Sequence, residues 1–292
     1  MAKTDPNRSL KEKLQDHYNS RNFQAKDSTI TRFAVSFVWV NTLTLVLEGL
    51  LVLIPSHHLV QDGRACSNSS CTSYRCAQAV TLWLFAQTAW HWFCLRDGSR
   101  NVVTRGVSGS HKHVVKTDWK WCSRCNQDAP PRSHHCTLCE HCVLRRDHHC
   151  YFSGSCVGHY NQRHFVLFLL YVICACSYAV YMQSSYLSKQ ENLTYFIPLV
   201  AMWKTVTGQA PKLYFCILVH MYLSTVSLFA SVGFISCQTY IILKGQTSYE
   251  ASRGITLYQK RTVYDNFKTV FGTPLQFVLT LFLPVRPHLA DD

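Results

Sequence analysis

Four apolar runs fix what this chain can fold into, because about 20 mostly apolar residues suffice to cross a bilayer. They cover Phe33 to Ile54, Ala77 to Leu95, Phe165 to Tyr186 and Leu213 to Leu243. The second is the least apolar, with Gln78, Gln87 and His91 inside it. The fourth exceeds the thickness of a bilayer, so it is expected to tilt or to project beyond it. The first 32 residues are polar and no small-residue cleavage site follows the first run, so that run is expected to be retained as a helix. The expected fold class is an all-α polytopic membrane protein with four transmembrane helices.

Charge orients these spans. The 292 residues carry a formal net charge of +13, which on its own would suit a nucleic-acid binder. The distribution argues for topology instead. Lys and Arg number 7 before the first run, 2 between the first and second, 11 between the second and third, 3 between the third and fourth, and 6 afterwards. Alternate segments therefore hold 24 of the 29, and the positive-inside rule places both termini and the 96–164 loop in the cytosol. The patterns Asn68-Ser69-Ser70 and Asn192-Leu193-Thr194 fall in the charge-poor segments, the lumenal side of this assignment.

The resulting organisation is a cytosolic tail (1–32), a first span (33–54), a lumenal loop (55–76) and a second span (77–95). A cytosolic loop (96–164), a third span (165–186), a lumenal loop (187–212), a fourth span (213–243) and a cytosolic tail (244–292) follow. In the last tail, Val263, Tyr264, Phe267, Val270 and Phe271 recur at helical spacing. Gly272 and Pro274 then read as a helix stop, so a short amphipathic helix is expected there.

The cysteines divide along the same lines. Cys66, Cys71 and Cys76 lie in a loop assigned to the oxidising side, where a disulfide can form. Cys94, Cys174, Cys176, Cys216 and Cys237 sit in or at the ends of apolar runs and read as small hydrophobes. The other seven crowd between Cys122 and Cys156 in the cytosolic loop, where fixed spacing points to metal or catalysis.

That block, about 118–165, has no long apolar run, and segments so small usually need a metal or disulfides to fold. Cys122/Cys125 and Cys136/Cys139 have the two-residue spacing that turns two thiolates toward one tetrahedral zinc. Cys139/Cys142 has it too, so spacing leaves the pairing open. Two closed sites of three Cys and one His each take six cysteines and leave one of the seven over. A spare cysteine at the membrane face of a metal-braced module is a nucleophile candidate. Asp147-His148-His149-Cys150 holds the best one. In extended chain, alternate side chains share a side. His148 would then face with Cys150 as its base, His149 would turn to metal, and Asp147 would orient the imidazole. A purely structural zinc module is the plain alternative. A RING-type ligase fits less well, because the chain re-enters the membrane at Phe165 before a further Cys pair, and a module held between spans argues against nucleic acid.

The block resembles the DHHC family of protein S-acyltransferases. The resemblance rests on Cys122, two residues, Cys125, nine residues, His135-Cys136, two residues, Cys139, two residues, Cys142, four residues and Asp147-His148-His149-Cys150. Cys156, Asn161 and Phe165 follow at the family's spacing, and Pro131-Arg132-Ser133 and Val157-Gly158 are similar too. It implies two structural Zn²⁺ ions, one on Cys122, Cys125, His135 and Cys142, the other on Cys136, Cys139, His149 and Cys156. It implies that Cys150 is acylated by palmitoyl-CoA (acyl-CoA), assisted by His148 and Asp147, with Arg132 and His134 near the coenzyme A phosphates. Membrane-proximal cysteine-containing proteins would be the acceptors, membrane lipid the surroundings, and the Golgi or endoplasmic reticulum the compartment. Thr247-Ser248-Tyr249-Glu250 resembles the family's Thr-Thr-x-Glu motif, and Asn266, Phe267, Phe271 and Gly272 its C-terminal helix.

Three departures stand out. Tyr151-Phe152 replaces the usual Pro-Trp, Asp97-Gly98 lacks the proline of Asp-Pro-Gly, and Ser248 replaces the second Thr. They resemble the branch of the animal probable palmitoyltransferase numbered twenty-four. The alternative they raise is a zinc-binding membrane scaffold of the same fold with weak or no turnover. In the first run, Glu48 is expected to snorkel or pair, and Asn41 to bond between helices or shape an acyl cavity.

Overall fold

The computed structural model describes residues 10–58, 68–104, 119–189, 198–260 and 262–283. Cys66, the Asn192-Leu193-Thr194 pattern and most of the loop before the cysteine-rich block lie outside the described residues.

Long helices dominate. Helix α1 (Leu10–Glu48) runs through a π-helical turn, Gly49–Leu53, into the short α2 (Ile54–His58). Helices α3 (Asn68–Arg96), α4 (Gln162–Ser188) and α6 (Lys212–Leu243) complete the bundle, with α5 (Pro198–Val206) between α4 and α6. The first helix begins well inside the expected polar tail. Its Lys-, Glu- and Gln-rich start contains no Pro or Gly from Leu10 to Glu48, so nothing breaks the helix before the membrane.

Among the described residues, three stretches are long and apolar enough to cross a membrane: Ser28–His57, Gln162–Ser188 and Lys212–Leu243. The expected second span lies within α3, whose 29 residues give it the length but not the apolarity. The structure shows where its polar residues go. Gln87 is buried and donates to the backbone oxygen of Phe282, 3.0 Å away. His91 is fully buried, with its Nδ1 3.1 Å from that of His164 on α4.

Glu48, the only acid in the first apolar run, is buried at the π turn. Gln183 of α4 donates to it at 2.9 Å, and His220 of α6 pairs with its other oxygen. It is paired between helices rather than snorkelling, and around it Leu53, Ile54, Met182, Leu187, Tyr214, Ile217 and Leu218 form one core cluster.

At the other end of the bundle, the described residues form three antiparallel hairpins: β1 (Lys120–Cys122) with β2 (Gln127–Ala129), β3 (His134–Cys136) with β4 (His141–Val143), and β5 (His148–Cys150) with β6 (Ser155–Val157). Each strand has three residues, too few to bury a core of its own. Gly158 allows a close backbone approach, since a Cβ there would stand 2.7 Å from the Leu144 backbone oxygen. Asn161 ties the module to the bundle. It donates to the backbone oxygens of Leu95 (2.8 Å) and Cys156 (3.0 Å), and its oxygen accepts from Asn101 and from Gly158 N–H.

After α6 come α7 (Ser248–Ser252), α8 (Val263–Phe271) and α9 (Pro274–Phe282). Helix α8 matches the expected amphipathic segment, with Thr262 as its N-cap and Gly272 leaving it at φ 74°. The expected stop holds at Gly272, and Pro274 also opens a further helix. Pro274 stands in the first turn of α9, where its missing N–H costs nothing, and Thr273 and Gln276 form a capping box.

Candidate active site and metal clusters

The alternation of strand β5 decides which histidine does what. Its pairing with β6 sets His148 opposite Val157, His149 opposite Cys156 and Cys150 opposite Ser155. His149 turns toward sulfur, with its Nδ1 3.3 Å from Cys139 and 3.7 Å from both Cys136 and Cys156. His148 turns the other way, toward Asp147 and Cys150.

The ligand atoms of Cys136, Cys139, His149 and Cys156 all lie within 4.8 Å of one another. Those of Cys122, Cys125, His135 and Cys142 do so as well. Tetrahedral zinc with Zn–S of about 2.3 Å puts its sulfurs about 3.8 Å apart, and the Cys139 and Cys156 sulfurs stand 3.7 Å apart. In the other cluster, His135 Nδ1 is 3.2 Å from Cys125 and 3.8 Å from Cys122. Electrostatics agree with a cation in each. Thiols this close resist ionising together: hydrogen bonding to Cys136 and Cys139 drives the Cys156 thiol far above its ordinary range. Burial, with Cys122 and Cys125 beside it, does the same to Cys142. Two clusters of three Cys and one His fit two metal ions, and Cys150 belongs to neither.

Cys150 is buried at the end of β5 against Leu95, Val157, Phe165 and Leu169. Burial alone would raise its pKa, but hydrogen bonding to His148 and to Ser153 brings it below that of an ordinary thiol. His148 shows the complementary shift. Burial opposes its charge, yet the hydrogen bonds to Asp147 and Cys150 prevail and lift its pKa to about 9. The carboxylate behind it is buried and fully engaged. Asp147 Oδ2 lies 2.7 Å from His148 Nδ1 and accepts from Gln238 Nε2 at 2.8 Å. Ser248 adds its N–H to Oδ1 (2.6 Å) and its hydroxyl to Oδ2 (3.0 Å). Burial would protonate this carboxyl, but His148, Ser248 and Gln238 hold it below the usual carboxylate range. The arrangement favours a thiolate–imidazolium pair at Cys150 and His148.

Cys150 and His148 stand on the wall of one large cavity of about 460 Å³ that runs between the helices. Its lining is mostly apolar, from Tyr151 and Phe152 beside the thiol, past Trp39, Leu84 and Phe168, to Met182 and Gln183. Asn41 lies on this wall too. Among the departures, Phe152 stays anchored, its backbone oxygen accepting from Trp92 Nε1 at 3.0 Å, and Ser248 retains a hydroxyl on Asp147.

Arg132 meets Glu250 side by side, Nε to Oε1 at 2.7 Å and Nη2 to Oε2 at 2.6 Å, while Nη2 also donates to Gly245 O at 3.0 Å. His134 packs against the Tyr249 ring with centroids 4.2 Å apart. Both residues therefore face α7 and its capping box of Thr247 and Glu250. Gln238, Ser248 and Ser153 were not singled out as site residues in the sequence, and only Ser248 carried a motif signal.

Residues 115–255 match a family model described as DHHC palmitoyltransferase. Palmitoyltransferase ZDHHC22 of Rattus norvegicus is 32% identical over 168 residues, 54% of this chain and 62% of that protein. Probable protein S-acyltransferase 6 of Arabidopsis thaliana is 32% identical over 162 residues, 53% of this chain and 37% of that one. Probable protein S-acyltransferase 16 of the same plant is 45% identical over 71 residues, 23% of this chain and 25% of that one. The matches thus span less than two thirds of these relatives' length. They lend no support to the branch numbered twenty-four.

Proposed function

We propose that this chain, whose residues 115–255 match the DHHC palmitoyltransferase family model, is a protein S-acyltransferase working through an acyl-enzyme at Cys150. The observation that carries this reading is the Asp147–His148–Cys150 line, set on the wall of an apolar cavity long enough to pass from Phe152 to Met182.

The Cys150 thiolate attacks the carbonyl carbon of a long-chain acyl-CoA, its S–C bond forming as the C–S bond to coenzyme A breaks. His148, held by Asp147, stabilises the thiolate before attack and can protonate the leaving sulfur. The acyl chain lies in the cavity. In the second half-reaction a cysteine thiol of a membrane-proximal protein gives its proton to His148, attacks the Cys150 thioester and regenerates the enzyme. Both half-reactions exchange one thioester for another, so positioning and nucleophile activation matter more than driving force. Bound Zn²⁺ on the two Cys₃His clusters supplies rigidity to the module rather than chemistry. Arg132 as a cation, and His134 as a neutral hydrogen-bond donor because burial and then Arg146 lower its pKa, are the candidates beside α7 for the coenzyme A phosphates.

The same reading takes α3 as the fourth span, with Gln87 and His91 turned inward, and puts both termini and the cysteine-rich module on the cytosolic side of the Golgi or endoplasmic reticulum membrane. A weak or inactive scaffold is the less favoured reading, since Tyr151 and Phe152 flank the cavity without displacing Cys150 or His148.

Mixing the purified protein with palmitoyl-CoA and no acceptor tests the proposal. A burst of one coenzyme A per chain, absent in Cys150→Ser, is the expected result. Steady release without a burst, or a burst in Cys150→Ser, would refute it.

A further inference from the structure

Helix α9 ends in an unusual way. The last four carbonyls of a helix lack partners inside it and are commonly left to water or to a cap. Here two carbonyls at its end are taken by side chains from the bundle: Gln87 of α3 donates to Phe282 O, and Tyr171 of α4 donates to Leu281 O. Both donors stand nine residues from the module-side ends of their helices, Arg96 and Gln162. At 1.5 Å per residue both lie about 13 Å down from those ends. Helix α9 has nine residues, so it too is about 13 Å long.

Its start is fixed at the shallow level. Phe277 of α9 stacks edge-on with Phe271 and Phe267 of α8, and this cluster packs on Val166 and Ile242 near the module-side ends of α4 and α6. From there the helix descends to Gln87 and Tyr171 while Leu275, Val278 and Phe282 stay exposed. Polar caps aimed at backbone carbonyls, beside apolar side chains left bare, are what hydrocarbon demands, because water is absent there to satisfy the backbone.

We propose that α9 is a re-entrant helix that dips into the bilayer leaflet on the side of the cysteine-rich module, its end capped from within by Gln87 and Tyr171. The partner of its bare face is the lipid acyl chains. The inference rests on the membrane-spanning reading of α3, α4 and α6 given above.

The test places an environment-sensitive fluorescent amino acid, one at a time, at Phe282, at Phe229 (exposed on α6) and at Trp121 (exposed in the module), in the full chain reconstituted in phosphatidylcholine vesicles. Phospholipids spin-labelled along the acyl chain and aqueous iodide serve as quenchers. Blue-shifted emission at Phe282, quenched by lipid as at Phe229 and not by iodide, is the expected result. Iodide quenching at Phe282 as at Trp121, or quenching by neither reagent (the mark of cover by another protein surface), overturns the inference while Phe229 still reports lipid. Loss of lipid quenching at Phe229 as well would instead overturn the membrane-spanning reading. With Gln87→Leu and Tyr171→Phe combined, emission at Phe282 is expected to shift to the red and iodide quenching to rise. Unchanged emission would overturn the capping.

Discussion

Ser248 holds Asp147 twice, through its backbone N–H at 2.6 Å and its hydroxyl at 3.0 Å. The segment after the last long helix thereby reaches back to the carboxylate that orients His148. Losing the Ser248 hydroxyl removes one hydrogen bond to a charged group, worth about 1.5–3 kcal/mol. Ser248→Ala is expected to lower the rate of Cys150 acylation by roughly tenfold or more, with Ser248→Thr near the parent. Asp147→Asn removes the charge itself and is expected to lower it by about 10²–10⁴-fold, the range of positioned acid–base groups. Single-turnover acylation rates for the three variants check the order.

The Cys150–His148 pair predicts a pH profile. Hydrogen bonding from His148 holds the thiol's pKa below its ordinary value, so iodoacetamide should alkylate Cys150 fast at pH values where a free thiol, with pKa near 8.5, stays largely protonated. His148→Gln is expected to move the inflection upward. On the basic side, the His148 pKa is raised from 6.5 to about 9. Its contribution to stability is therefore complete below 6.5 and fades as pH rises through about 9. Alkylation rates against pH, read by mass spectrometry of the Cys150 peptide, measure the inflection, and an unshifted value in His148→Gln would contradict the pairing.

Metal content separates the two kinds of cysteine. Elemental analysis is expected to find two zinc ions per chain in the parent and in Cys150→Ser. Cys139→Ala is expected to lose one, together with protection of the module from proteolysis, because structural zinc supplies about 10–16 kcal/mol to small folds. Two ions retained in Cys139→Ala would argue against its cluster.

Arg132 and Glu250 join the module to α7, with Glu250 buried. Removing one partner of a buried pair costs about 3–5 kcal/mol, and some exposure of Arg132 sets this pair at the lower end. Glu250→Ala is expected to lower the melting temperature and to open the α7 segment to proteases, while Arg132→Lys, which cannot reproduce the paired contact, falls between.

Much of the site was legible because it is written at short range. Two-residue Cys spacing marked the turns that gather thiolates, and strand alternation separated His148 from His149. What stayed hidden depends on distant contacts. Gln238 reaches Asp147 across 91 residues with no local pattern to announce it, and Ser248 does so across 101, where the motif resemblance of 247–250 marks the segment but not its contact with Asp147. Helix α9 was not anticipated, because Gly272 and Pro274 mark the end of α8 and the same proline also opens the next helix. The polar residues of α3 made it the weakest apolar run for a related reason: Gln87 and His91 answer partners on α9 and α4, which hydropathy does not see.

The measurement that bears most directly on the account is labelling with an alkyne analogue of palmitoyl-CoA, comparing the parent with Cys150→Ser, each with and without hydroxylamine. A single hydroxylamine-sensitive label on the parent, mapped to Cys150 and absent from the zinc-loaded variant, is the predicted result. A folded, zinc-loaded parent that takes no such label, or a variant that keeps it, would contradict the acyl-enzyme at Cys150.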